Sequence, residues 1–191
     1  MQQIAQSDEF GHRRGDRRMR FSELVEKRRS VRRYRPQPIR RAQLETILEA
    51  ANRAPSAGGL QAYEIVVVER QDTRSALAEA AHRQNSVASA PVVLVFFANP
   101  RRNASRYGDR GLSLYCIQDA TIAAAYAQLE AAAQGLGSCW VGAFDETRVC
   151  EILAAPSGVR PVVMLPIGYS DEEPTAVPRR GIDHLVWNER F

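Results

Sequence analysis

Leu112–Gln134 reads LSLYCIQDATIAAAYAQLEAAAQ, and it is the longest helix candidate in the chain. Alanines at 120, 123, 124, 125, 127, 131, 132 and 133 make this segment apolar nearly all round. A helix without a polar face belongs in the centre of a fold or in an interface. Gly135 follows at the position where glycine commonly closes a helix. The remaining elements must therefore be arranged around this one.

Upstream of it, AYEIVVVER and APVVLVFFA read as strands with apolar centres, separated by the helix DTRSALAEAAHRQ, which starts on Asp72 as a cap. NPRRNASRYGDRG has no core-forming pattern and reads as a long polar loop. Downstream, SCWVGAF is a third strand, DETRVCEILA a helix capped by Asp145, and PVVMLPIGY a fourth strand. Nearer the N-terminus, RRAQLETILEAANRA sets Leu44, Ile47, Leu48 and Ala51 on one helix face. FSELVEKR is a short helix with Ser22 as candidate N-cap. Residues 1–20 form an N-terminal extension and residues 21–191 a single domain, either mixed α/β or α+β.

The chain has 191 residues, 45% of them hydrophobic and 25% charged, as in ordinary globular proteins. The net charge of +4 is unevenly placed: residues 1–41 hold 13 Lys and Arg against five Asp and Glu, and the rest holds 13 against 17. A duplex-binding face would spread its positive charge over several elements. Cys116, Cys139 and Cys150 show no metal or redox spacing and read as buried free thiols. No apolar run has the length of a membrane span, and the N-terminus lacks the apolar core of a secretory signal, so a cytoplasmic setting is expected.

The basic run KRRSVRRYRP, Lys27–Pro36, asks for an anion. In extended backbone Arg28, Ser30 and Arg32 project to one side, a set of guanidinium forks and a hydroxyl suited to a compact phosphate. Solvated arginines at a helix end and a nucleic-acid arm over residues 13–41 remain the alternatives. GLGSCWVG, residues 135–142, is no dinucleotide fingerprint, because it follows a helix and enters a strand. No GxxxxGK[ST] or GxSxG occurs.

RRSVRRYRPQPI, LETILEAANRAPSAGGLQAYEIVVV, LYCIQDATIAAAYAQLEAAAQGLGSCWVGAFDE, VVMLPIGYSDEEP and PRRGIDHLVW, in that order, resemble the nitroreductase family of FMN-dependent oxidoreductases from about Phe21 to Trp187. The resemblance implies an α+β nitroreductase-like fold, with a central mixed or antiparallel sheet flanked by helices, in an interlocked homodimer. It places the FMN phosphate on Arg28, Arg29, Ser30 and Arg32, completed by Arg179 and Arg180. It sets Pro55, Ser56, Ala57, Gly58 and Gln61 against the flavin of the partner subunit, with Gly59 where many relatives carry asparagine. It lays Val141, Gly142 and Ala143 beside flavin N5, where small residues let backbone approach the ring.

The same resemblance implies hydride transfer from NADH or NADPH through N5 to a small electron-poor acceptor such as a nitroaromatic or quinone, with no side chain as acid or base. No nucleic acid, membrane or metal is expected. The loop 101–111, with Arg106 and Tyr107, is expected at the substrate entrance. A flavin-free protein binding another phosphate-bearing ligand is the alternative.

Overall fold

A computed structural model of the chain describes residues 19–191. Residues 1–18 of the expected extension lie outside the described residues. The helices are α1 (Phe21–Lys27), α2 (Arg41–Asn52), α3 (Gln71–Ala80), α4 (Asn85–Ser89), α5 (Pro100–Arg110), α6 (Cys116–Ala133) and α7 (Glu146–Ile152). The strands are β1 (Tyr63–Val68), β2 (Val92–Ala98), β3 (Gly137–Ser138) and β4 (Arg160–Gly168). They form one antiparallel sheet in the order β1-β2-β4-β3.

β2 is apolar throughout because both of its faces are covered. Val92, Leu94 and Phe96 pack with Leu44 and Ile47 of α2 and with Ala123, Ala124 and Ala127 of α6. Val93, Val95 and Phe97 point the other way, among Leu77 of α3, Val87 of α4 and Val149 of α7. The period of two along the strand thus splits one run of sequence between two cores. This is the α+β layering that the α6 sequence demands, and Ala120, Ala123, Ala124, Ala127 and Ala131 are all buried. Gly135 closes α6 at φ +75°, with its own N–H on the Ala132 carbonyl at 3.0 Å and the Leu136 N–H on Ala131 at 2.9 Å. That pair of bonds is a Schellman ending.

Three expectations change. NPRRNASRYGDRG is not a loop: it forms α5, with Pro100 in its first turn and Gly108 at φ 51° inside it. Its inward residue is the fully buried Asn103 rather than an apolar one, so no hydrophobic period marks it. Of SCWVGAF only Ser138 lies in a strand, the two-residue β3, and a single bridge between Val141 and Met164 follows. The caps at Ser22 and Asp72 move as well: α1 starts from Arg20 and α3 from Arg70. Asp145 does cap α7, accepting from the Arg148 N–H at 3.0 Å.

Candidate functional site

The basic segment leaves α1 in extended form and becomes an irregular extra edge of the sheet. The Val31 N–H donates to the Ser138 carbonyl at 2.9 Å, and the Arg35 N–H to that of Tyr169 at 2.9 Å. Val31 and Tyr34 are buried between them. The Tyr34 hydroxyl lies 2.6 Å from the Val31 carbonyl and 3.1 Å from that of Pro166, and burial pushes its pKa well above the usual phenol value. With these two side chains locked inward, Arg28, Ser30 and Arg32 still share one cleft, but strict alternation does not hold: Val31 and Tyr34 are both buried three positions apart, and Arg29 lines the cleft as well.

Arg28, Arg29, Ser30 and Arg32 line one cleft of about 850 Å³ together with Arg179. The segment 172–177 forms its opposite wall. Arg180 is not among the residues that line it. Among the described residues, no carboxylate lies within ion-pair distance of Arg28, Arg32 or Arg179. Arg29 differs from its neighbours: its Nη1 donates to the carbonyls of Glu26 and Arg28, at the end of α1. It therefore satisfies orphan carbonyls at a helix end as well as facing the cleft.

Glu172 was not singled out from the sequence, yet it organises this cleft. Its Oε1 accepts from the backbone N–H of Arg32 at 2.5 Å and of Arg33 at 3.3 Å, while Arg33 Nε lies 3.4 Å from Oε2. The bond from the Arg32 backbone, helped by that of Arg33 and by both guanidinium charges, holds its carboxyl below the usual range. It ties the exit of β4 to the middle of the basic run.

A second groove, of about 540 Å³, is lined by Pro55, Ser56 and Ala57 with Tyr115, Ile117, Gln118, Asp119, Thr121 and Ile122. Its loop turns through Gly58 at φ +58° and Gly59 at φ +70°, and Gln61 also stands at φ 49°. That conformation is uncommon for a residue with a Cβ. The Gln61 N–H donates to Ser56 Oγ at 3.0 Å, and its side-chain amide donates to Asn52 Oδ1 at 2.8 Å. The Gln61 amide N–H groups are thus engaged within the chain.

The anchor of this loop is Asp119, only 2% exposed. It accepts from the Ala57 N–H at 2.9 Å and the Ala62 N–H at 3.1 Å, and from Asn103 Nδ2 at 3.3 Å. A carboxylate inside an otherwise apolar helix was the available signal, since such a charge is costly to bury unless it is fully hydrogen-bonded. The loop and the basic-run arginines line different clefts of the chain, and the structure does not bring them together within one subunit. Of the strand-end residues, Val141 is buried and exchanges two backbone bonds with Met164, whereas Gly142 and Ala143 are exposed. Trp140 is 37% exposed.

Among the described residues no cluster of His, Cys, Asp and Glu could hold a metal ion, and no helix is long and apolar enough to cross a membrane.

A sequence profile described as the Nitroreductase family matches residues 25–99 and 83–169. A protein of Thermus thermophilus named NADH dehydrogenase is 36% identical over 187 residues, covering 84% of this chain and 91% of its own length. The crystal structure of nitroreductase A from Vibrio parahaemolyticus superposes with a TM-score of 0.82 at 32% identity, covering 89% of this chain and 76% of that one. The NADPH:FMN oxidoreductase of Vibrio harveyi, in complex with NAD+, gives a TM-score of 0.82 at 29% identity, covering 89% and 77%.

Proposed function

The chain belongs to the nitroreductase family, FMN-dependent NAD(P)H oxidoreductases, and we propose that it passes hydride through flavin N5 to a nitroaromatic or quinone-like acceptor as a cytoplasmic homodimer. The single observation that carries this reading is the cleft in which Arg28, Ser30, Arg32 and Arg179 meet, with no carboxylate ion partner on any of those three arginines among the described residues. Guanidinium forks and a hydroxyl on one face fit a phosphate dianion, and Glu26, Glu172 and Glu173, which line the same cleft, form no ion pair with Arg28, Arg32 or Arg179 among the described residues. The residues therefore suit the terminal phosphate of FMN, with Arg179 rather than Arg180 supplied by the C-terminal segment.

Bound there, FMN would supply the hydride relay between a reduced nicotinamide and the acceptor. The chain's own part is to bind, orient and shield. Arg28, Arg32 and Arg179 hold the phosphate, and Ser30 adds a hydroxyl donor. Gly142 and Ala143 lie exposed after the Val141 bridge, where they would offer backbone rather than a large side chain to the ring edge. Pro55, Ser56, Ala57, Gly58 and Gln61 would meet the flavin of the other subunit, a role consistent with Pro55, Ser56 and Ala57 lining a separate groove.

Two features support the second copy. The segment after β4 leaves Val177, Ile182, Leu185, Val186, Trp187 and Phe191 between 51% and 98% exposed, an apolar strap with no core of its own. α6 turns Tyr126 outward at 41% exposure, and the Gln128 amide nitrogen is buried without a partner among the described residues. Three free thiols suit a reducing compartment.

The test is direct. Purified protein should carry flavin absorbance, release FMN on denaturation, and sediment as a dimer. A colourless protein that takes up no FMN on reconstitution would end this reading.

A further inference from the structure

α5 lies against the 56–61 loop. Arg102 Nε donates to the Leu60 carbonyl at 3.0 Å. A Cβ on Gly58 would lie 2.5 Å from Tyr107 Oη and 2.8 Å from Arg106 Nη1, so these two side chains rest directly on the loop backbone. Tyr107 packs edge-on against Tyr115 with ring centroids 5.2 Å apart, and Tyr115 lines the groove beside Pro55, Ser56 and Ala57. A guanidinium sits over each ring, Arg106 over Tyr107 at 5.4 Å and Arg110 over Tyr115 at 5.4 Å. Arg110 Nε also bonds Tyr115 Oη at 3.2 Å.

Among the described residues neither arginine lies within ion-pair distance of a carboxylate. Arg102 and Arg106, four apart on one helix, are instead a like-charge pair, an arrangement that weakens a helix when nothing offsets it. A guanidinium held over an aromatic ring uses its face and keeps N–H groups at its edge available, for Arg110 those of the two terminal nitrogens, since its Nε is engaged by Tyr115. Two such forks flank one tyrosine pair, and both are pre-positioned, so little side-chain freedom is lost when an anion arrives.

From this we infer that Arg106 and Arg110 recognise an oxyanion, carboxylate or phosphate, carried by a substrate that reaches the flavin past the 56–61 loop. The inference rests on the flavin reading of that loop and adds to it the charge class of the substrate. The oxyanion belongs either to the electron acceptor or to the phosphates of the nicotinamide donor, and the two sources are separable.

The experiment uses flavin-loaded protein and the variants Arg106→Gln/Arg110→Gln and Arg106→Lys/Arg110→Lys. Benzoate, an unreactive oxyanion, is titrated by calorimetry. Rates are compared for para-nitrobenzoate against para-nitrobenzyl alcohol, and for NADPH against NADH. The expected result is benzoate binding weakened about fivefold in the Gln variant, the scale of partly exposed charge contacts. The kcat/KM ratio of nitrobenzoate to nitrobenzyl alcohol should fall by a similar factor. The Lys variant, with charge but no fork, should fall between. A change confined to the NADPH:NADH ratio places the oxyanion on the donor and equally supports the pair. Unchanged benzoate affinity with all ratios unchanged, or equal losses on every substrate, overturns it. Protein that takes up no FMN fails the flavin reading, and this inference with it, whereas loaded protein with unchanged ratios fails the arginine pair alone.

Discussion

The Glu172 carboxylate accepts the backbone N–H of Arg32 at 2.5 Å, joining residues 140 positions apart at the lip of the arginine cleft. It also meets the Arg33 backbone and guanidinium, so one acidic side chain satisfies the donors that an extended cationic segment would otherwise leave to water. Its own charge in the cleft is offset by the arginines it holds.

Because the native carboxyl is held low, its stabilising effect is complete above the ordinary glutamate pKa of about 4.3 and fades as pH falls through the lower native value. Glu172→Gln should therefore melt below the parent at neutral pH, with the gap closing in acid below about pH 4. Melting curves across pH check this. A gap of constant size down to the acid limit would mean that the charge plays no part.

Arg32 carries the most direct test of the cleft. Its side chain is exposed, and no carboxylate pairs with it among the described residues, so removing it leaves little behind to repair. Arg32→Ala should weaken FMN binding by about 1.5–3 kcal/mol, the range for hydrogen bonds to a charged group. Fluorescence titration of apoprotein with FMN measures it. Unchanged affinity would remove Arg32 from the phosphate site.

Asp119 should matter to stability and to the loop together. Asp119→Ala strips the acceptor from the Ala57 and Ala62 N–H groups, and the Ala62 end is fully buried. A buried donor left unsatisfied costs about 1–3 kcal/mol. Urea unfolding should show a loss in that range, and amide exchange at Ala57 and Ala62 should accelerate. Retained protection at both amides would show that another group takes over.

The parts of this molecule that were legible in the sequence are those in which a residue's role is local. Gly135 ends α6 because αL backbone favours glycine there, and the alanine positions of α6 report burial directly. β2 reads as a strand because every residue of it is buried. The grouping of Arg28, Ser30 and Arg32 follows from extended backbone about a buried Val31, whereas the burial of Tyr34 and the presence of Arg29 in the same cleft depart from strict alternation. What escaped depends on partners far along the chain. α5 has no apolar stripe because its buried contact is Asn103 with Asp119, a polar one. Glu172 looks like one carboxylate in an acidic turn until β4 delivers it to the Arg32 backbone. The strand expected over SCWVGAF stops at Ser138, and its apolar residues Cys139 and Val141 are buried without continuous pairing.

The position of the basic run also depends on a close approach that can be probed from both sides. A Cβ on Gly137 would fall 2.7 Å from Cγ2 of Val31 and 2.8 Å from its Cβ, far inside normal contact. Val31 is 5% exposed and held by its N–H bond to Ser138, so it cannot simply turn away. Gly137→Ala should cost about 1–3 kcal/mol, the usual penalty for overpacking. Val31→Gly alone should also destabilise, by removing buried methyls. In combination the two should be less harmful than their sum, since only the loss of the Cβ at 31 relieves the 2.8 Å approach and admits the new methyl at 137. Because this contact seats the segment that carries Arg28 and Arg32, FMN affinity should drop in Gly137→Ala and recover in the pair. Strict additivity in both stability and FMN affinity would show that the contact does not set the position of the arginines.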